Sequence, residues 1–251
     1  MIQTLEPRLF LSGVTTNLTA GLLTVRGSAH SDNIDIAVLD NGVTVKDRGV
    51  VIFSTPIFST DVFAGIVVDA RGGNDIVTMN VNETPFRTEI HGGKGNDNLE
   101  ILSFHGQGGI VYGGCGDDTI HTDTEITGSS IGAKIFGGSG RDTITATNGG
   151  GGAGSSVDGG SGNDRITINN PGNDFTGGGS TVHGAGGNDV IHGGNLADQL
   201  FGDAGKDHLF GGKGDDTMDG GAGKDALDGE DGNDTAVNSG QDTFTNVENL
   251  I

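Results

Sequence analysis

Cysteine, proline and the larger aromatics are nearly missing from this chain. With Cys115 as the only cysteine, no intrachain disulfide can form. Four prolines and no glycine period of three exclude the collagen triple helix that fifty glycines in 251 residues would otherwise suggest. Tryptophan is absent and tyrosine occurs once, at Tyr112, so there is little from which to build an aromatic platform for sugars. Basic residues are also scarce. Thirteen Lys and Arg stand against 34 Asp and Glu, a formal net charge of −21. That balance excludes recognition of nucleic acid or anionic membranes, which relies on Lys and Arg, and it favours multivalent cations. No apolar run is long enough to span a membrane as a helix. Near the N-terminus, Glu6 and Pro7 fall where a secretory signal has a continuous apolar core, so no ordinary cleavable signal is expected.

What is present is glycine and aspartate in register. From Gly184 to Asp234 a nonapeptide, Gly-Gly-x-Gly-x-Asp followed by an apolar residue one position on, starts at 184, 193, 202, 211, 220 and 229. A period of nine with this pattern is the sequence form of a parallel β-roll with metal-binding turns. Four more copies lie upstream, Gly92 to Glu100, Gly113 to His121, Gly137 to Thr145 and Gly159 to Thr167, with starts 21 to 25 residues apart. The two spacings agree if one coil contains two turns and two short strands. In the tandem block both turns are nonapeptides and a coil has 18 residues; upstream, the second turn is a longer loop. Each upstream motif has an apolar residue two places after its Asp (Leu99, Ile120, Ile144, Ile166) and another two places before its first Gly (Ile90, Val111, Ile135, Val157), the pattern of inward residues on two strands. Ala70 to Thr78 and Gly27 to Asp35 read as eroded copies, with Asp75 and Asp32 in the sixth place.

The expected fold is all-β, a parallel β-roll or β-helix solenoid with a β-rich N-terminal cap. Residues 1–13 form an N-terminal segment. Residues 14–69, rich in β-branched residues and alternating as in Asn33 to Val38, form the cap that shields the open end of a solenoid. Residues 70–183 are long coils with the motif on one edge, 184–237 the tandem block, and 238–251 a C-terminal cap.

Glycine turns tightly at positive φ and aims backbone carbonyls at a common point. The sixth-position Asp adds a carboxylate, and such hard oxygen ligands at flexible geometry suit Ca²⁺ better than Mg²⁺. One turn supplies half the ligands, so an ion is expected between turns stacked on successive coils. One edge should stack Asp75, Asp97, Asp118, Asp142, Asp164, Asp189, Asp207 and Asp225; the other Asp198, Asp216 and Asp234, with Asp174 as the preceding candidate. Residues nine apart belong to opposite edges. Leu196 in the fourth place of its turn makes Asp198 a weaker ligand.

These residues resemble the RTX, or haemolysin-type, calcium-binding repeat family, well over 92–237 and faintly over 27–91. The resemblance implies a right-handed parallel β-roll, calcium-driven folding outside the cell and export by a type I secretion system. It also implies that the turn carbonyls and the sixth Asp are the calcium ligands. Matched to this sequence, the upstream ligand positions are Gly92, Gly93, Gly95 and Asp97; Gly113, Gly114, Gly116 and Asp118; Gly137, Gly138, Gly140 and Asp142; and Gly159, Gly160, Gly162 and Asp164. In the tandem block they are Gly184, Gly187 and Asp189; Asp198; Gly202, Gly205 and Asp207; Gly211, Gly212, Gly214 and Asp216; Gly220, Gly221, Gly223 and Asp225; and Gly232 and Asp234. Leu5 to Ser12 resembles the LEPR-x-L-L segment at the start of many planctomycete-type surface proteins, with Phe10 in place of one leucine.

Other motifs lack the context their chemistry needs. Gly128-Ser129-Ser130-Ile131-Gly132 matches the hydrolase nucleophile string but lies in a Gly/Ser loop, not at a strand–turn–helix. Gly149-x-Gly151-x-x-Gly154 leads into no helix. His91, His121, His183 and His192 fall at outward strand positions, and no His-Glu-x-x-His occurs. The expectation is a non-enzymatic, extracellular or cell-surface module that binds roughly eight calcium ions, one between stacked turns. Calcium ions are its expected partners, with neither nucleic acid nor a transmembrane segment. Alternatives are a polysaccharide-binding or polysaccharide-modifying β-helix, or the exported repeat part of a larger enzyme.

Overall fold

The computed structural model describes residues 13–39, 42–55, 64–81, 87–102, 109–124, 132–149, 153–170 and 177–251, and every regular element among them is a β-strand. The strands form two long sheets, one 14-stranded and one 12-stranded, and the chain alternates between them. Beyond the antiparallel strands at the N-terminal end, neighbouring strands of each sheet are parallel. On the first sheet Arg87–Lys94 pairs Ile110–Cys115, then Lys134–Ser139, Ser156–Ser161 and Thr181–Gly186 follow. On the second, Asn98–Leu102 pairs Thr119–Thr124, followed by Thr143–Asn148, Arg165–Asn169 and Val190–Gly194. The coil of two strands and two turns inferred from the spacing is the repeating unit.

Register fixes the core. Because side chains alternate along a strand, one alternating set faces inward in every coil. Val111, Ile135, Val157, Val182, Leu200 and Met218 lie opposite one another in turn on the first sheet. Leu99, Ile120, Ile144, Ile166, Ile191, Leu209 and Leu227 do so on the second. All are buried. Upstream strands of the second sheet carry a second inward apolar residue (Met79, Ile101, Ala146 or Ile168), except Thr119–Thr124, which has Thr122 there, whereas those of the tandem block carry one. Losing an isoleucine-sized burial removes about 1.5–3 kcal/mol per coil, so the tandem block relies more on its turns.

The N-terminal cap is part coil and part lid. Leu22–Arg26 and Asn33–Leu39 already pair in parallel with Gly65–Asp69 and Ile76–Val81, so residues 22–39 form the first coil. Thr15–Thr19 pairs antiparallel with Leu22–Arg26, and Gly42–Asp47 with Asn33–Leu39, with Val50–Thr55 outside it. These antiparallel strands end both sheets and withdraw a parallel edge from further addition. At the other end Thr243–Thr245 and Asn249–Leu250 pair in parallel with the last repeats, making residues 238–251 a short final coil.

Candidate metal centre

Each coil crosses between the sheets at two turns, and the sixth-position aspartates stack along the turns of each edge. On the first edge the backbone N–H of each Asp donates to Oδ1 of the Asp one coil on. The column runs Asp32, Asp75, Asp97, Asp118, Asp142, Asp164, Asp189, Asp207, Asp225 and Asp242, at 2.7–2.9 Å. On the second edge it runs Ser180, Asp198, Asp216, Asp234 and Glu248. The order read from the spacing is thus the order in space, and residues nine apart fall in different columns.

Three column members escaped sequence reading. Asp242 and Glu248 lie in the C-terminal segment, 17 and 14 residues after the preceding Asp, and no motif surrounds them. Asp174 lies outside the described residues; the place before Asp198 is held by Ser180, whose hydroxyl accepts from the N–H of Ser155. The second edge therefore changes from hydroxyls to carboxylates at the start of the tandem block. A further column occupies the fifth, nominally variable, position. Oδ1 of Asn74 accepts from the N–H of Asn96, Oδ1 of Asn96 from Asp117, and Oδ1 of Asp117 from Arg141. Recurrence of Asn or Asp there (Asn74, Asn96, Asp117, Asn163, Asn188, Asp215, Asn233) is the signal that could have revealed it.

From Asp75 to Asp234 Oδ1 of each column Asp is thereby satisfied, but Oδ2 is not. In Asp75, Asp97, Asp118, Asp142, Asp164, Asp189, Asp198, Asp207, Asp216, Asp225 and Asp234 it is buried without a hydrogen-bond partner. An unpaired buried carboxylate oxygen is costly. Beside it lies a carbonyl of the next coil. The point one bond out from Gly113 is 2.5 Å from Asp118 Oδ2 and 2.5 Å from the Gly137 carbonyl oxygen. At Gly202 the corresponding distances are 2.6 Å to Asp207 Oδ2 and 2.7 Å to the Gly220 carbonyl. Two hard oxygens from successive coils converge, the donor set a calcium ion requires. Among the described residues no three His, Cys, Asp or Glu side chains cluster to hold a metal. Backbone carbonyls must therefore complete any site, which fits Ca²⁺ and disfavours transition metals.

The glycines serve two purposes. Second and fourth positions such as Gly114 and Gly116 have φ of +117° and +127°, and a Cβ on either would collide with the carbonyl of Gly93 or Gly95. First-position glycines lack positive φ; there a side chain would fill the space beside the carboxylate. The positive-φ explanation holds for second places and for fourth-place glycines up to Gly214; Gly223 and Gly232, in the fourth place of the last two repeats, lack positive φ. Four second positions bear a non-glycine residue and still adopt positive φ: Arg71, Ala185, Asp203 and Glu230.

Burial is the largest influence on the column carboxylates, opposed by the backbone N–H each accepts and, for most, reinforced by neighbouring carboxylates. It pushes Asp75, Asp142 and Asp207 up to about 6, Asp118, Asp189 and Asp216 to about 7, and Asp198 to about 8. Asp97, Asp164, Asp225 and Asp234 are raised as well. The Leu196 substitution leaves Asp198 in its column, yet the Gly193 point is 3.0 Å from Asp198 Oδ2, farther than in the regular turns.

The remaining sequence motifs stay outside this centre. His91 stacks on Tyr112 at 4.7 Å and Tyr112 on Phe136 at 5.0 Å, while His183 and His192 stack on Phe201 and Phe210. These rings are on the outer faces, as strand alternation required. Cys115 is exposed and free. The N-terminal LEPR-like segment, most of the Gly128–Gly132 string and the middle of the Gly149–Gly154 string lie outside the described residues.

A family model for the RTX calcium-binding nonapeptide repeat matches residues 176–200 and 201–236. None of the curated proteins matches the chain. No helix among the described residues is long and apolar enough to cross a membrane. With aspartates stacked coil on coil, a buried unpaired Oδ2 in each from Asp75 to Asp234 and the family match over 176–236, the chain carries RTX calcium-binding nonapeptide repeats within a parallel β-solenoid.

Proposed function

We propose that this calcium-binding β-roll is a non-enzymatic structural module, outside the cell or at its surface, that completes its fold when it meets calcium. The observation that carries this is the buried, unpartnered Oδ2 repeated from Asp75 to Asp234. The ligands are the motif aspartates together with carbonyls of the glycine turns. Where calcium is scarce, the columns hold like charges in a dry environment and oppose closure. Near-millimolar calcium neutralises them. Seven gaps separate successive aspartates from Asp75 to Asp225, and two from Asp198 to Asp234, close to the roughly eight ions expected when each lies between stacked turns. An ion at ten times its dissociation constant contributes about 1.4 kcal/mol. Eight or so supply on the order of 10 kcal/mol, comparable to the net stability of a domain.

A polysaccharide-binding role draws no support from the aromatics, because Tyr112 has a ring stacked against each face. The test is calcium titration of the metal-free chain, followed by circular dichroism and small-angle scattering. Gain of β-signal and compaction with Ca²⁺, and little with Mg²⁺, is the expected result. Equal compactness with and without calcium would sink the proposal.

A further inference from the structure

The two columns do not end alike. At the N-terminal end of the first, Oδ2 of Asp32 accepts the N–H of Ser28 at 2.6 Å, and it is Oδ1 that is left buried without a partner. At its C-terminal end, Oδ2 of Asp242 accepts the Ser239 hydroxyl at 2.5 Å, and the three atoms nearest the Gly220 point all belong to Asp225, with no carbonyl of the final coil among them. The second column ends differently. Asp234, fully buried, keeps an unpartnered Oδ2 as Asp225 does, but here a carbonyl of the final coil faces it. Its N–H donates to Oε2 of Glu248 at 2.8 Å, so Glu248 stands where each repeat puts its next aspartate. A Cβ at Gly229 would meet both Asp234 Oδ2 and the carbonyl oxygen of Asn246. Asn246 adopts a φ of +48°, a left-handed turn conformation. The final coil thus reproduces carbonyl and carboxylate without the motif.

We propose that Asp234, the Asn246 carbonyl and Glu248 form a terminal calcium site that clamps residues 238–251 onto the last repeat. Glutamate is one methylene longer than aspartate, and its carboxylate reaches the column from a tighter turn, two residues after Asn246 rather than the usual five after the first glycine. Glu248 is solvent-exposed, so water can complete the coordination, as Ca²⁺ readily allows. The C-terminal coil is then metal-dependent instead of an inert lid. This rests on calcium occupying the repeat columns.

The full chain, stripped of metal and titrated with Ca²⁺, provides the test. Glu248→Gln retains an oxygen acceptor for the Asp234 N–H while removing the charge; Asp216→Asn does the same within the repeats. Bound calcium is counted by equilibrium dialysis, and protection of the amides of 243–251 is read by hydrogen exchange. Glu248→Gln should bind one ion fewer than the unaltered chain and need about tenfold more calcium to protect 243–251, since charge count sets affinity in oxygen cages. Asp216→Asn should lose ions while leaving the calcium midpoint for 243–251 nearer the original. If Asp216→Asn loses ions and Glu248→Gln loses none, the terminal site is refuted and the repeat sites stand. If the unaltered chain binds no calcium, both fall.

Discussion

Asp216 offers the sharpest perturbation, because the same substitution should have opposite effects with and without metal. Its Oδ1 accepts the N–H of Asp198 at 2.7 Å, its own N–H donates to Asp234, and its Oδ2 is buried without a partner. In Asp216→Asn the side-chain oxygen can still accept from Asp198, so the ladder survives while the charge goes. Without calcium, burial, helped by Asp234, Asp215 and Glu230, lifts the carboxyl from 3.8 to about 7. Each tenfold change in proton affinity is worth about 1.4 kcal/mol, so above pH 7 the ionised group costs the metal-free fold on the order of 4 kcal/mol. The neutral amide of the variant carries no such cost. With calcium, Asp216 faces two ions, one towards Asp198 and one towards Asp234. Losing both at ten times their dissociation constant costs about 3 kcal/mol. In chelator the variant should therefore keep its β-signal to higher pH than the unaltered chain; at fixed pH it should need more calcium to reach its folding midpoint. Circular dichroism along both titrations reads the two effects. A shift of the same sign in both, or none in either, would refute the reasoning that one buried charge is both the obstacle to folding and the seat of the metal.

The columns also predict how pH acts. In chelator the folded-state pKa values are raised, to about 6 for Asp75, Asp142 and Asp207, about 7 for Asp118 and Asp189, and about 8 for Asp198. A raised value means stability that is present below the unfolded pKa and lost as pH rises through the folded one, so the metal-free fold should lose stability progressively from about pH 4 to about pH 8. In saturating calcium the direction should reverse, with protons displacing ions as pH drops. Hydrogen exchange in chelator should show protection surviving in Asn33–Leu39 and Ile76–Val81, whose strands bury two or more apolar residues each, and vanishing across 199–237, where one per strand remains. Ala185→Gly should raise the melting temperature by an amount equivalent to about 0.5–1 kcal/mol, since Ala185 is held at a φ of +72°, where a Cβ is disfavoured. The same change at Asp203 should not help, because the Asp203 carboxylate accepts the Ala185 N–H and pairs with His183 at 3.0 Å.

Most of the coil was legible in the sequence because its determinants are local and periodic. A turn needing positive φ at two places takes glycine there, and a strand with one face in the core takes an apolar residue every second position, so the spacing of Ile135, Gly138, Gly140 and Ile144 already encodes a strand, a turn and a strand. Repetition then fixes register, since a slip of one residue would turn Val111, Ile135 and Val157 outward. The two columns followed from counting by eighteen.

Tertiary structure decided what counting could not. Whether an aspartate oxygen is satisfied depends on a backbone N–H some 18 to 25 residues away, as between Asp189 and Asp207 or Asp164 and Asp189. Only stacking shows that Oδ1 is satisfied and Oδ2 is not. The membership of Asp242 and Glu248 was invisible because their turns have other lengths, and a column recognises where an oxygen arrives, not the motif that brings it. The same holds for Ser180, which occupies an aspartate's place, and for residues 22–39, which wind as a coil beneath a sequence that reads as a cap. Sequence by itself determined the period, the turn chemistry and the metal class, since these are properties of one nonapeptide. Which oxygens meet, and where the columns begin and end, belongs to the packing of one coil on the next.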